Sequence, residues 1–202
     1  YGKRTTAGMI RTPNDQKSFI INIFVDQNFY LKKAGHFLML IHWVESISRL
    51  LVILKKDTGL LKRLQQTNAT EEISREIWNA NQKWNYKDML AEFSSNYKGY
   101  KDAIMLLEDF WLARDILSHS QMSPDGTFFC VPRKWSRDNK KKQEIFRRQF
   151  GRELEPDEAF RVSVSDDDIA NVKKFDTVYF PNICKELSIY YEKIRWPYDE
   201  KH

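Results

Sequence analysis

Arg114 and His119 stand in the stretch Arg114-Asp115-Ile116-Leu117-Ser118-His119, and their types and spacing suit acid–base chemistry on a phosphate. A histidine, with an ordinary pKa of about 6.5, moves protons near neutral pH. A guanidinium stays charged and can clamp phosphate oxygens as negative charge builds on them. Asp115 lies four residues before His119, so on a helix their side chains can meet and the carboxylate can orient the imidazole. With about 100° per residue and Leu107 at zero, Ala103, Phe110, Trp111 and Leu117 lie within about 80° and form an apolar face. Arg114 falls at roughly 340°, near the middle of that face, while Glu108, Asp115 and His119 fall at about 100°, 80° and 120° and form a polar seam. An arginine facing inward needs a partner, because an unpaired buried charge is costly. Glu45, in an otherwise apolar stretch, is the expected one.

The elements that must position these residues read mostly as helices. Phe37, Leu40, Ile41, Val44, Ile47, Leu51 and Leu54 recur at three- and four-residue steps, which predicts a helix from Phe29 to Lys56 that stops at Asp57-Thr58-Gly59. Thr70 before Glu71 and Glu72 has N-cap chemistry for a helix to about Lys83. Further helices are expected over Lys87 to Phe93 and Lys98 to Ser118. After His119 the character changes. Ser123-Pro124-Asp125-Gly126 is a turn signature, and Thr127 to Val131 and Phe160 to Val164 have strand composition. They predict a two-stranded ribbon closing a basic insertion that is itself helical around Lys141 to Phe150. Ser165-Asp166-Asp167-Asp168 resembles a capping box opening a last helix toward Trp196, with Pro181 kinking or dividing it. The first 15 or so residues read as a polar arm, and Ser18 to Val25 is ambiguous between strand and helix. The expected fold is all-α: one domain over residues 1–202, an antiparallel helical bundle with a small β-ribbon and basic insertion at about 123–164.

Composition agrees with this architecture. The 202 residues include 13 Phe and 6 Trp, which demand a core, but only 7 Gly and 6 Pro, which favours long helices over a many-turned β fold. Cys130 and Cys184 are far apart and lack a CxxC partner, so reduced thiols and a cytoplasmic location are expected. The start lacks Met, which suggests trimming, and Phe19 to Val25 is too short and too late for a secretory signal. No membrane partner is expected. The net charge of +5 is concentrated: residues 133–152 carry +7 and the rest of the chain −2. Arg133, Lys134, Arg137, Lys140, Lys141, Lys142, Arg147 and Arg148 are therefore candidate nucleic-acid contacts, with Trp135, Phe146 and Phe150 interleaved. Trp43, Trp78, Trp84 and Trp111 read as core or interface. His36 and His42 are six apart, and no His, Cys and Asp cluster has metal-ligand spacing, so no metal or cofactor is expected. Nor is there a P-loop, dinucleotide fingerprint or GxSxG elbow.

The stretch RDILSH resembles the Arg-x4-His signature of the HEPN superfamily, including the polar residue after the arginine. The resemblance in motif covers six residues, and its helical-bundle context extends loosely from Phe29 to Trp196. It implies a bundle in which the motif lies near the end of a helix, and a cleft shared by two protomers. It also implies metal-independent RNA cleavage in a toxin–antitoxin, abortive-infection or related defence role, with an antitoxin or regulatory protein as a further partner. In that chemistry the RNA's own 2′-hydroxyl attacks the adjacent phosphate. His119 would be the general acid or base, Arg114 would stabilise the transition state, and Asp115, Ser118 and Glu45 would support them. Met105, Leu112 and Ile116 on the second side of the motif helix fit a homodimer. The alternative is a non-catalytic HEPN-like module that binds RNA or scaffolds a partner.

Overall fold

In the computed structural model the described residues are 10–11, 27–66, 70–122, 128–130, 139–153 and 160–190. The candidate turn at 123–126, the ambiguous segment 18–25, Arg133, Lys134, Trp135, Arg137 and Trp196 lie outside them. The fold is all-α, a helical bundle with a small antiparallel sheet. Helices α1 (Gln27–Lys56), α2 (Thr58–Gln66), α3 (Glu71–Asn81), α4 (Tyr86–Asn96) and α5 (Lys101–Ser118) come first; α6 (Lys140–Phe150), α7 (Asp166–Lys174) and α8 (Phe180–Glu186) follow. The chain forms two compact units, residues 1–41 with 108–173 and residues 42–107 with 174–202. Both α1 and α5 have their ends in different units.

The first unit holds the sheet. Strands β1 (Ile10–Arg11), β2 (Ser120–Met122), β3 (Phe128–Cys130) and β4 (Phe160–Val162) lie in the order β1-β4-β3-β2, every neighbouring pair antiparallel. The expected ribbon is β3 with β4, Phe129 facing Arg161. Strands β1 and β2 add to it. They have two and three residues, too few for a period-2 pattern, and β1 falls within the segment read as a polar arm. The capping box at the start of α7 is real and reciprocal. The Asp168 amide donates to Ser165 Oγ (3.1 Å), and the Ser165 amide donates to Asp168 Oδ2 (2.7 Å). Asp168 is buried, and its Oδ1 has no hydrogen-bond partner among the described residues. Burial raises this carboxyl to about 6, against the hydrogen bonds from Ser165.

In the second unit the apolar stripe of α1 is fully buried at Val44, Ile47, Leu51 and Leu54, as its spacing predicts. Burying each such side chain contributes roughly 1.5–3 kcal/mol. By length and composition α1 could cross a membrane; within the protein its apolar side chains are largely buried. Two buried phenols tie helices together without leaving a polar atom unsatisfied. Tyr97 donates to the Leu51 carbonyl and Tyr86 to the Leu107 carbonyl, each at 2.8 Å. Asp57 does end α1, but its carboxylate also accepts from the Leu60 amide (2.9 Å) and so opens α2, which the stop signal concealed. Thr70 caps α3 as expected, accepting from the Ile73 amide.

The last helix departs from expectation. It does not run toward Trp196 but ends at Glu186. A π-helical turn, Phe175–Tyr179, links α7 to α8 just before Pro181, where the missing N–H breaks the regular ladder. The end at Glu186 is a Schellman motif: the Ser188 amide bonds the Lys185 carbonyl (3.0 Å) and the Ile189 amide the Cys184 carbonyl (2.9 Å). Ser188 takes φ 54°, the left-handed region that favours glycine.

Two stability outcomes follow. Ser188→Gly relieves that conformation and should raise unfolding stability by about 0.5–1 kcal/mol in urea denaturation. Asp168 titrates higher folded than unfolded, so its ionised form opposes folding at neutral pH, and that cost is relieved as pH falls through 6 toward 4. Asp168→Asn keeps an acceptor for Ser165 and removes the charge. Its stability advantage over the parent should be largest near pH 7.5, up to about 3 kcal/mol, and should shrink by pH 4.5 in the same urea assay.

Candidate active site

His119 sits where α5 gives way to β2. Its amide bonds the Asp115 and Ile116 carbonyls, both at 3.2 Å. The next residue, Ser120, donates its hydroxyl to the Ile116 carbonyl (2.6 Å) and pairs with Cys130 in the sheet. Backbone on both sides of the histidine is therefore fixed. The His119 and Ser118 side chains are exposed, whereas Arg114, one turn earlier, is half-buried.

The Asp115 carboxylate is held by Lys142 of α6. Lys142 is only 7% exposed, an unusual position for a lysine, and its Nζ lies 4.8 Å from the centroid of the Trp111 ring. Its own amide is capped by Asn139 Oδ1 at 3.2 Å, which fixes the first turn of α6 beneath the ammonium. Burial and the Arg114 guanidinium lower this ammonium to about 8. Arg114, Asp115 and Lys142 thus form one electrostatic group. Sequence spacing offered Asp115 as the orienter of His119; the partner supplied from α6 is invisible to spacing within α5.

A second set of ion pairs fastens α6 to α5. Arg148 donates to Glu108 Oε2 (2.5 Å) and Asp109 Oδ1 (2.6 Å), and Lys141 Nζ lies 2.6 Å from Glu108 Oε1. Glu108 and Asp109 are both buried. Burial pushes Glu108 upward, but hydrogen bonds from Arg148 and Lys141 outweigh it and hold the carboxyl below its ordinary value. At Asp109 burial outweighs Arg148 and the carboxyl is raised. One signal for this docking was in the sequence: three carboxylates, Glu108, Asp109 and Asp115, on a helix otherwise rich in apolar residues, against a local charge of +7 downstream.

The remaining candidates are dispersed. Lys140 is exposed, Arg147 pairs with Glu153 (2.6 Å), and Arg152 lies over Phe146, itself buried against Phe150. Of the two α6 aromatics, Phe146 is buried and Phe150 half-buried. Glu45 is buried, its carboxylate held by Arg49 and 3.5 Å from His42 Nδ1. Trp111 is buried, but Trp78 is half exposed and Trp43 is 36% exposed, Trp43 donating to Asp176 at 3.0 Å. Leu112 and Ile116 are buried within the chain, so of the three residues read as a dimer surface only Met105 is exposed. Among the described residues no group of three or more His, Cys, Asp or Glu side chains could hold a metal ion.

If Arg148 fastens α6, Arg148→Met leaves two buried carboxylates short of a partner. Lys141 remains for Glu108 and Arg148 is partly exposed, so the expected loss is about 2 kcal/mol in chemical denaturation. Lys140→Met at an exposed position should change stability by less than about 0.5 kcal/mol.

No family model matches the chain, and neither a curated protein nor a solved structure does.

Proposed function

We propose that this chain is a metal-independent endoribonuclease of the HEPN type, acting through Arg114 and His119. The observation that carries the reading is the arrangement at the end of α5. There Arg114, Asp115 and the buried Lys142 form one charged group immediately before an exposed histidine at a fixed helix–strand junction. A cationic locus beside a mobile proton is what cleavage of a phosphodiester by its own 2′-hydroxyl requires.

In the proposed reaction the 2′-oxygen attacks phosphorus, the bond to the 5′-oxygen breaks, and a 2′,3′-cyclic phosphate and a 5′-hydroxyl result. Arg114 takes the charge that accumulates on the non-bridging oxygens. His119 either accepts the 2′-hydroxyl proton or donates one to the departing 5′-oxygen. One histidine cannot do both in a single step, so a second copy of the chain would supply the other, in a homodimer with a composite cleft. A toxin or antiviral-defence role, controlled by an antitoxin or regulatory protein, comes with the resemblance to the superfamily.

The test is cleavage of end-labelled structured and unstructured RNAs in excess EDTA. The parent should yield fragments ending in cyclic or 3′-phosphate. His119→Ala should lower the rate by about 10²–10⁴-fold while changing RNA affinity little. Binding without cleavage by the parent would favour the non-catalytic RNA-binding module. Equal cleavage by both proteins would exclude His119.

A further inference from the structure

The last turn of α5 carries an acid, Asp115, and no base; the first turn of α6 carries Lys140, Lys141 and Lys142 and no acid. Both placements oppose the helix dipole, which favours cations at a C-terminus and anions at an N-terminus. The two ends correct each other, because Lys142 of α6 holds the Asp115 carboxylate of α5. Charges that break a local preference at both ends of one contact point to a use for the contact itself. Lys142 is buried there, with the Trp111 ring centroid 4.8 Å from its Nζ and its amide capped by Asn139 Oδ1. All of these residues belong to the first unit.

Asp115 has a second attachment. Its carbonyl accepts from the His119 amide at 3.2 Å, an amide shared with the Ile116 carbonyl at the same distance. The Ile116 carbonyl also accepts from the Ser120 hydroxyl at 2.6 Å. A long, shared hydrogen bond at a helix end is the kind that frays unless something ties the turn down. Asp115 therefore takes Lys142 by its side chain and His119 by its backbone.

We infer that Lys142 is a positioning residue for His119: through Asp115 it clasps the last turn of α5 and so fixes the backbone that carries the imidazole. The effect on catalysis rests on the reading of His119 as the acid or base. The clasp itself needs no contact between Lys142 and a substrate, which accords with the burial of the lysine.

The experiment compares the full-length parent with Lys142→Met, Lys142→Arg and the double variant Asp115→Asn/Lys142→Met. It reads hydrogen exchange of the His119 amide by NMR, and kcat and KM on RNA in EDTA. Urea unfolding is followed in parallel. Lys142→Met should speed exchange at His119 by about 10-fold or more. It should lower kcat by a similar factor while KM stays within about threefold, because a displaced acid–base group costs rate before it costs binding. Lys142→Arg should stay within about threefold of the parent throughout, because the cation is kept. The double variant strands no charge, so its urea stability should return toward the parent while fast exchange and low kcat persist.

Parent-like exchange at His119 in Lys142→Met would overturn the inference. So would a double variant that regains parent-like exchange together with its stability, since a residue serving stability alone restores both. If Lys142→Met does not fold, the double variant decides by itself. The two ideas fail separately. A parent that cleaves RNA, with exchange and kcat indifferent to Lys142, keeps the nuclease and loses the clasp. A parent that never cleaves, while exchange at His119 still depends on Lys142, keeps the clasp and loses the nuclease.

Discussion

Carboxylates buried or half-buried in a helix must be met by cations or hydrogen bonds, and α5 carries three from its middle onward: Glu108, Asp109 and Asp115. Each would cost several kcal/mol if left alone in a low-dielectric setting. Helix α6 answers all three, with Arg148 on Glu108 and Asp109, Lys141 on Glu108, and Lys142 on Asp115. Lys141 and Arg148 are seven residues apart, two turns along one face of α6, so a single docked face can deliver both. This demand for charge balance explains why the connection between β3 and β4 folds back as a helix with so many basic residues.

The same balance limits what the basic segment offers to a polyanion. Its local charge of +7 looks like a binding surface in sequence. In the fold, Lys141, Lys142 and Arg148 are matched to buried or half-buried carboxylates, and Arg147 lies against Glu153. A phosphate competing for Lys141, Lys142 or Arg148 would strand the carboxylates behind them. On the proposed reading, the chemistry is instead placed at the end of α5, beside the Asp115–Lys142 ion pair. Much of the charge read as RNA-binding is, on this account, structural.

The helices were legible because their signals are local: a three- and four-residue apolar step in α1, Thr70 ahead of α3, the Ser165–Asp168 box ahead of α7. What escaped were features set by distant chain. Strand β1 exists through Val162 and Arg161, far along the sequence, and α2 hides behind an aspartate that ends one helix and caps another. The end of α8 lies in a Schellman turn built on serine, where glycine would have announced it. In the site, Asp115 has a sequence neighbour at helical spacing, His119, and a spatial partner 27 positions away, Lys142. Spacing along one helix finds the first and cannot find the second.

The central claim is that the end of α5 cleaves RNA by attack of its own 2′-hydroxyl. A chemical substitution in the substrate tests it most directly. An RNA cut by the parent protein in EDTA is resynthesised with a single 2′-deoxy nucleotide immediately 5′ of the scissile phosphate. The account predicts that cleavage at that phosphate disappears while other sites are still cut, leaving cyclic phosphate ends. Undiminished cleavage at the substituted position would mean that another nucleophile attacks, and would contradict it.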